Sequence, residues 1–381
     1  MAATPSPAFP AFAPGMPNLT ADLASDLEAC LARYEAAAPK KSFASANGWS
    51  FLINDSNDFL RWQFGLKRWE PAQLLAALRL LETRQQRVAE MGAQFIKFVV
   101  PEKSAIYARY LPGLLGYAPL YDARPANLLH RATGCPAIHL FDHLDGMAKL
   151  GPTYLRGDSH PNWQGAYVIY QAIHEAISAM LPIGPPLALH QLVATVTTYG
   201  GDLFGQLPSD AADALSAPVQ LMQPPGRAET VVQYTIDPAR RGAAPCPPPQ
   251  EYINWFDTRE TLVWNHQDRS LPRCVVFRDS TAGRVLDCLA EHFSRTVAVW
   301  WHGLVVEDVI EREKPDIVIQ IQAERFLQLM PTTRPTVKMA DMQAAFAHQE
   351  KLRQQALDQA AEQIPAAVRT SPTQGGASGS K

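Results

Sequence analysis

Apolar positions recur every three to four residues along four stretches and run unbroken through several shorter ones. Residues 19–38, EPAQLLAALRLLETRQQRVAEMG at 70–92, NWQGAYVIYQAIHEAISAML at 162–181 and residues 336–369 carry the helical period. The second has Pro71 near its start and Gly92 past its end, which fit a helix N-terminus and C-terminus. TAGRVLDCLAEHF at 281–293 and VEDVIEREK at 306–314 predict two shorter helices. GWSFLIND at 48–55, QFIKFVVP at 94–101, CVVFRDS at 274–280, RTVAVWW at 295–301 and DIVIQIQ at 316–322 read as strands, with CPAIHLFD at 135–142 a further short apolar run. Strands apolar on both faces, alternating with helices, predict an α/β fold with a parallel sheet covered on each side.

Residues 183–273 break this alternation. They hold PPG and PCPPP and the alternating stretches ETVVQYTI and ETLVWNH, so they predict an inserted β-rich segment of short antiparallel strands. The organisation expected is an N-terminal arm and helix at 1–40, an α/β domain at 41–335 containing the insertion, and a C-terminal helix and low-complexity tail at 336–381.

Composition narrows the function classes. The chain has 381 residues, 34 Lys and Arg against 37 Asp and Glu, and a formal charge of −3, which gives no reason to expect a nucleic-acid partner. Five cysteines, an odd number with no CxxC, exclude a full disulfide framework and argue against a thiolate metal site; Cys274 and Cys288 lie in apolar segments and read as buried thiols. The segment MAATPSPAFPAFAPGMPNL lacks the basic region and apolar run of a secretory signal, and no stretch is long enough to cross a membrane. The expectation from these features is a cytoplasmic protein.

Two Asp-Ser pairs carry candidate chemistry. In FRDSTAG at 277–283, Ser280 sits where a buried strand ends and a helix begins, the place where α/β sheets collect active sites. The unpaired N–H groups there suit a developing oxyanion; equally, Asp279 or Ser280 serves as an ordinary helix cap. In RGDSHPNWQGAY at 156–167, Asp158 and His160 are two residues apart and share one side of an extended segment, so the carboxylate can hold one imidazole nitrogen while the other faces a cleft. Ser159 points the other way. Asp158 or Ser159 capping the following helix is the alternative, and the RGD tripeptide reads as a chance match. Joining the segments gives Ser280 as nucleophile, His160 as base and Asp158 as its orienter.

Other positions bear on the cleft. Lys103 and Tyr107 follow a strand end, Asp202 lies in a loop, and Trp163, Trp300 and Trp301 offer faces for sugar rings, although one of the last two should face the core. His139 and His143 lie four apart beside Asp142 and Asp145, but IHLF reads as a strand end with no third ligand, so no metal is expected. Glu324 and Arg325 end a core strand and predict an internal ion pair.

In this order and spacing, NGWSFLINDSND, FIKFVVPEKSAIYARYLP, YLRGDSHPNWQGA, GGDLFG, VVFRDSTAGRVLDCLAEHFSRTVAVW and KPDIVIQIQAERFL resemble the SGNH-hydrolase-like domain of the alginate O-acetyltransferases and related polysaccharide acetyltransferases, over about residues 46–331. The resemblance implies a flavodoxin-like, three-layer parallel sheet. It also implies the roles given above for Ser280, His160 and Asp158, with Asp-x-His before Ser as in that family. Two departures stand out. Arg278 occupies a position where the family usually has Gly, and is expected either to crowd the oxyanion site or to bind an anionic sugar. Trp163 comes three residues after His160 rather than directly after it. The resemblance implies acetyl transfer to a polysaccharide or glycan, with no cofactor, from an acetyl donor such as an acetyl-transferring membrane protein. It further implies a periplasmic setting, against the compartment read from the termini. An acetylesterase and a non-catalytic glycan-binding or assembly protein are the rival readings.

Overall fold

The computed structural model describes residues 19–38, 42–45, 48–53, 55, 57–203, 228–252, 261–301 and 303–344. The chain divides into a unit Met1–Thr336 and a unit Val337–Lys381. Residues 339–344 are helical and 336–338 are not; residues 345–381 and the first 18 residues lie outside the described residues.

The chain runs α1 (Ala21–Ala37), β1 (Ser42–Ala44), β2 (Ser50–Leu52), α2 (Phe59–Gln63), α3 (Pro71–Glu90), β3 (Gln94–Val100), α4 (Lys103–Ile106), α5 (Pro125–Arg131), β4 (Ala137–His139), α6 (Phe141–Ala148) and α7 (Trp163–Ser178). Then come β5 (Leu192–Tyr199), β6 (Glu229–Ile236), β7 (Ala243–Cys246), β8 (Leu262–His266), β9 (Arg273–Arg278), β10 (Arg295–Trp300) and β11 (Ile317–Ala323). The main sheet has the order β4-β3-β11-β9-β10-β8-β7. Its first five strands are mutually parallel, and β8 and β7 extend it antiparallel. The alternation of apolar strands and helices therefore gives the α/β fold that it predicts.

The segment 183–273 is not a single insertion. Its strands β5 and β6 pair only with each other, as a separate ribbon, whereas β8 pairs with β10 inside the main sheet. Burial explains the difference. β8 buries adjacent residues Val263 and Trp264, one on each face, so it needs cover on both sides. The ribbon strand β5 has no buried residue.

The sheet faces differ in chemistry. Ile317, Ile319 and Ile321 of β11 join the apolar core with Ile169 and Ile173 of α7 and with Leu27 and Leu31 of α1, so the N-terminal helix belongs to this core. The opposite face is polar within. Gln320 accepts from Arg84 of α3 at 2.8 Å, and Gln322 accepts from Lys97 of β3. Arg84 also donates to the carbonyls of Pro335, Gly303 and Arg334, at 2.7, 3.2 and 3.1 Å. The strand 316–322 is thus buried on both faces but not apolar on both. Beyond β11, Glu324 and Arg325 do not pair with each other. Glu324 meets Arg124 at 3.1 Å, and Arg325 meets Glu102 at 3.0 Å. His139 ends β4 while His143 is exposed on α6, so they do not share a helix face.

A ring cluster fastens α7 to the start of the 183–191 segment. Tyr170 donates its hydroxyl to His292 Nε2 at 2.6 Å, His292 Nδ1 donates to the Ile183 carbonyl at 3.0 Å, and the Leu187 N–H donates to the Tyr170 hydroxyl at 2.7 Å. This pattern fits the neutral imidazole, and burial pushes His292 down to about 4. The unfolded chain takes up a proton near pH 6.5 while the folded one does not. Stability from this site is therefore full above pH 6.5 and is lost as pH falls towards 4, by about 3 kcal/mol. Urea unfolding should show His292→Gln less stable than wild type at pH 7 but with a shallower loss between pH 6.5 and 4.5; parallel pH slopes would contradict this.

Candidate active site

Because β4, β3, β11, β9 and β10 are parallel, their C-terminal ends share one edge of the sheet. At its centre, β9 ends at Arg278 and the chain turns through Asp279 and Ser280. Asp279 bolts this turn to β11. Its N–H donates to the Ile321 carbonyl at 3.3 Å, and its Oδ2 accepts from the Ala323 N–H at 2.6 Å. Its Oδ1 accepts from the Thr281 N–H at 2.9 Å and from the Thr281 hydroxyl. The cap is therefore Asp279, and Ser280 stands half-buried outside it. The single helix expected over 281–293 is instead a 3-10 turn, Ser280–Ala282, followed by a short α-helix, Leu286–Ala290.

Residues 153–162 form a narrow hairpin at the same edge. Tyr154 bridges Pro161, the Leu155 N–H donates to the His160 carbonyl at 3.3 Å, and the Asn162 N–H donates to the Thr153 carbonyl at 3.0 Å. Asn162 caps α7 by accepting from the Gly165 N–H at 2.8 Å. With that cap supplied, Asp158 is released to His160: its Oδ1 meets His160 Nδ1 at 2.5 Å and the His160 N–H at 2.8 Å. Burial raises the Asp158 carboxyl, but hydrogen bonding and charge from His160, with the charge of Arg284, outweigh it and hold the group well below the usual carboxylate range. The other ring nitrogen, His160 Nε2, is shielded from solvent and makes no hydrogen bond among the described residues.

Ser159 belongs to the turn. Its N–H and hydroxyl both donate to the Asp202 carboxylate, each at 2.7 Å. Asp202 follows Gly201, where a Cβ would come 1.9 Å from the Gly157 carbonyl oxygen, so only glycine permits this approach. The Leu203 N–H donates to that same carbonyl at 3.0 Å, and Glu229 of β6 accepts from the Gly157 N–H at 3.1 Å. Donor atoms of Asp158, His160 and Asp202 lie within 4.8 Å of one another. Nδ1 is committed to Asp158 and both Asp202 oxygens to Ser159, so this is a hydrogen-bonded dyad with its brace, not an open set of metal ligands.

Several residues expected to line the cleft lie beneath it. Lys103 is 3% exposed, and its ammonium donates to the carbonyls of Leu155, Arg156 and Asp158 at 3.1, 3.1 and 2.6 Å. Burial pushes it down to about 7, against the opposing pull of Asp158, Asp202, Glu229 and Glu102. Tyr107 is buried, stacked on Trp49 at 4.2 Å, and its hydroxyl accepts from the Thr153 N–H at 2.8 Å. Arg278 is 2% exposed with its guanidinium 4.7 Å from the half-buried Trp300 ring, so it faces the interior and not an open sugar site. Trp163 stays half-buried, edge-on to Tyr199 at 5.8 Å. One residue that sequence reasoning missed joins the two segments: Arg284 donates to the Pro161 carbonyl at 3.0 Å. Its partner is 123 positions away, so no local pattern signals it.

Comparison with known proteins bears on this geometry. Residues 59–243 match the family described as SGNH hydrolase-like domain, acetyltransferase AlgX. Over these residues the chain is similar to an SGNH hydrolase-like domain. The matched stretch contains Asp158, His160 and Asp202 and ends before Ser280. The chain is also 29% identical over 180 residues to the probable alginate O-acetylase AlgJ of Pseudomonas putida, a match spanning 43% of this chain and 45% of that relative's length. Among solved structures, Bacillus cereus PatB1 with a sulfonyl adduct superposes with a TM-score of 0.55 at 15% identity, covering 78% of this chain and 99% of that one. A second structure of PatB1 gives 0.53. These two likenesses concern the fold. No described helix is long and apolar enough to cross a membrane.

The Lys103 cage generates a stability test. Lys103→Met keeps the stem but leaves three buried carbonyls without their donor, and should cost about 3–5 kcal/mol in urea unfolding. A loss below about 1 kcal/mol would show that the hairpin stands without it.

Proposed function

We propose that this protein is an O-acetyltransferase that passes an acetyl group through Ser280 to a hydroxyl of a polysaccharide or glycan. The observation that carries the reading is His160: Asp158 holds Nδ1, and the shielded Nε2 has no partner of its own. In a neutral imidazole so held, Nδ1 keeps its proton and Nε2 presents a lone pair. Ser280, on the turn that Arg284 links to the neighbouring Pro161, is the group we assign to that lone pair.

In the first half-reaction the Ser280 hydroxyl loses its proton to Nε2 as Oγ attacks the acetyl carbonyl of the donor. The donor C–O bond then breaks, and the proton passes from Nε2 to the leaving oxygen. In the second, a sugar hydroxyl attacks the acetyl-serine, its proton goes to Nε2, and Ser280 is regenerated by taking that proton back. The Thr281 N–H is engaged by Asp279 and the Gly283 N–H by the Ser280 carbonyl, so the Ser280 N–H is the oxyanion donor we assign. Asp158, anionic throughout, offsets the transient imidazolium charge. The acetyl donor in this reading is an activated acyl group presented by a partner, such as an acetyl-transferring membrane protein. The reaction takes place outside the cytoplasm, as the family resemblance implies.

Incubation with an activated acetyl ester and neutral or acidic oligosaccharides should yield acetylated sugar. Ser280→Ala and His160→Ala should each lower this yield by about 1,000-fold or more, and Asp158→Asn by about 100-fold or more. Free acetate with no acetylated sugar would identify an esterase. Undiminished transfer by Ser280→Ala would overturn the assignment and favour a glycan-binding or assembly role.

A further inference from the structure

Three segments separated widely in sequence meet at one guanidinium. Arg284 lies four residues past Ser280, and the turn between them is closed by the Gly283 N–H donating to the Ser280 carbonyl at 3.0 Å. Its Nη1 donates at 3.0 Å to the carbonyl of Pro161, the residue after His160. Its guanidinium carbon lies 4.7 Å from the Trp163 ring at the start of α7 and 5.1 Å from the Tyr199 ring at the end of β5. Tyr199 in turn precedes the Gly200–Asp202 loop that grips Gly157 and Ser159.

We propose that Arg284 is a positioning residue that sets the separation of the Ser280 turn from the Asp158–His160 hairpin, seated in the corner that the mutually perpendicular Trp163 and Tyr199 rings form. The proposal rests on the reading of Ser280 and His160 given above. The chemistry suits arginine in particular. A guanidinium can contact one aromatic face and the edge of a second and still donate in its own plane to a carbonyl, whereas an ammonium has no plane to direct its donors. The charge is placed near the dyad carboxylate, where it favours the anion that orients His160. The contact is made to the backbone beside the base and not to the base itself, so Arg284 acts through geometry. Tyr199 brings the β5–β6 ribbon into the same assembly, since Glu229, its cross-strand partner, holds the Gly157 N–H. The ribbon has no buried residue in β5, yet Glu229 at the inner end of β6 ties it to the hairpin.

Two readouts test this, one of chemistry and one of structure. The first is the rate of Ser280 acetylation by p-nitrophenyl acetate, followed by intact mass over a range of ester concentrations. Arg284→Gln should slow the maximal rate by about 10–100-fold and move half-saturation by no more than about twofold. Arg284→Lys should recover part of the loss. Tyr199→Leu should act in the same direction, and the double variant Arg284→Gln/Tyr199→Leu should be little slower than the slower single variant. The second readout is amide hydrogen exchange. Arg284→Gln should speed exchange in residues 153–162 while residues 94–100 of β3 stay protected. Wild-type exchange of residues 153–162 in Arg284→Gln would overturn the proposal, as would acetylation at the wild-type rate in that variant. If wild-type protein takes no acetyl at Ser280, the acyl-transfer reading fails, and the exchange comparison still decides whether Arg284 positions the hairpin.

Discussion

The arrangement at the sheet edge depends on one buried cation. Lys103 leaves β3 just after Pro101 and turns its ammonium inward, where the carbonyls of Leu155, Arg156 and Asp158 converge on it. An ammonium has three donors, and all three are used. Desolvation pulls the group towards its neutral form, and the carboxylates of Asp158, Asp202, Glu229 and Glu102 pull it back. The consequence is geometric. With its carbonyls turned inward to Lys103, the hairpin 153–162 presents Asp158 and His160 as a bonded pair on the other side of the same backbone. A substrate-binding lysine would be replaceable by another cation within reach; a lysine that holds a backbone loop is not.

The remaining polar groups at this edge serve the same end by different means. Asp279 ties the Ser280 turn to β11, Asp202 ties Ser159 to the Gly201 loop, and Asn162 takes over the helix cap that would otherwise claim Asp158. Asp279 and Asn162 supply caps that would otherwise fall to Ser280 and Asp158, and Asp202 engages Ser159, the other serine of the hairpin. The layer behind them, Arg84 with Gln320, Lys97 with Gln322, Arg124 with Glu324 and Arg325 with Glu102, keeps the C-terminal strand ends in fixed register. Buried pairs of this kind add little net stability over apolar packing, but breaking one leaves an uncompensated charge, so they act as geometric locks.

Much of the fold was legible because its signals are local. The periods of residues 70–92 and 162–181 and the runs at 94–101 and 295–301 mark their elements within a residue or two at most ends. The Asp158–His160 pairing was legible from its spacing, but residues 156–160 form a turn and not the extended segment expected: the His160 N–H closes onto Asp158 Oδ1 at 2.8 Å, and the Ser159 hydroxyl lies 3.4 Å from His160 Nδ1 instead of pointing away. What escaped depends on partners far along the chain. Lys103, Tyr107 and Arg278 follow or end strands and so read as cleft residues, but their partners lie 52, 46 and 22 positions away and draw them inward. Arg284 had no local signal at all. The helix after Ser280 was overestimated because TAGRVLDCLAEHF keeps a helical period across two short pieces, a 3-10 turn at Ser280–Ala282 and an α-helix at Leu286–Ala290. The placement of β8 in the main sheet was missed because a five-residue run gives no indication of which sheet it joins.

The central claim is that the second Asp-Ser pair supplies the nucleophile and the first supplies the base. A small sulfonyl fluoride, which sulfonylates an activated serine hydroxyl far faster than an ordinary one, tests it most directly when followed by peptide mass spectrometry. The account predicts one sulfonyl group, on Ser280, absent from Ser280→Ala and from His160→Ala. A sulfonyl group on Ser159, or labelling of Ser280 that persists in His160→Ala, would contradict it.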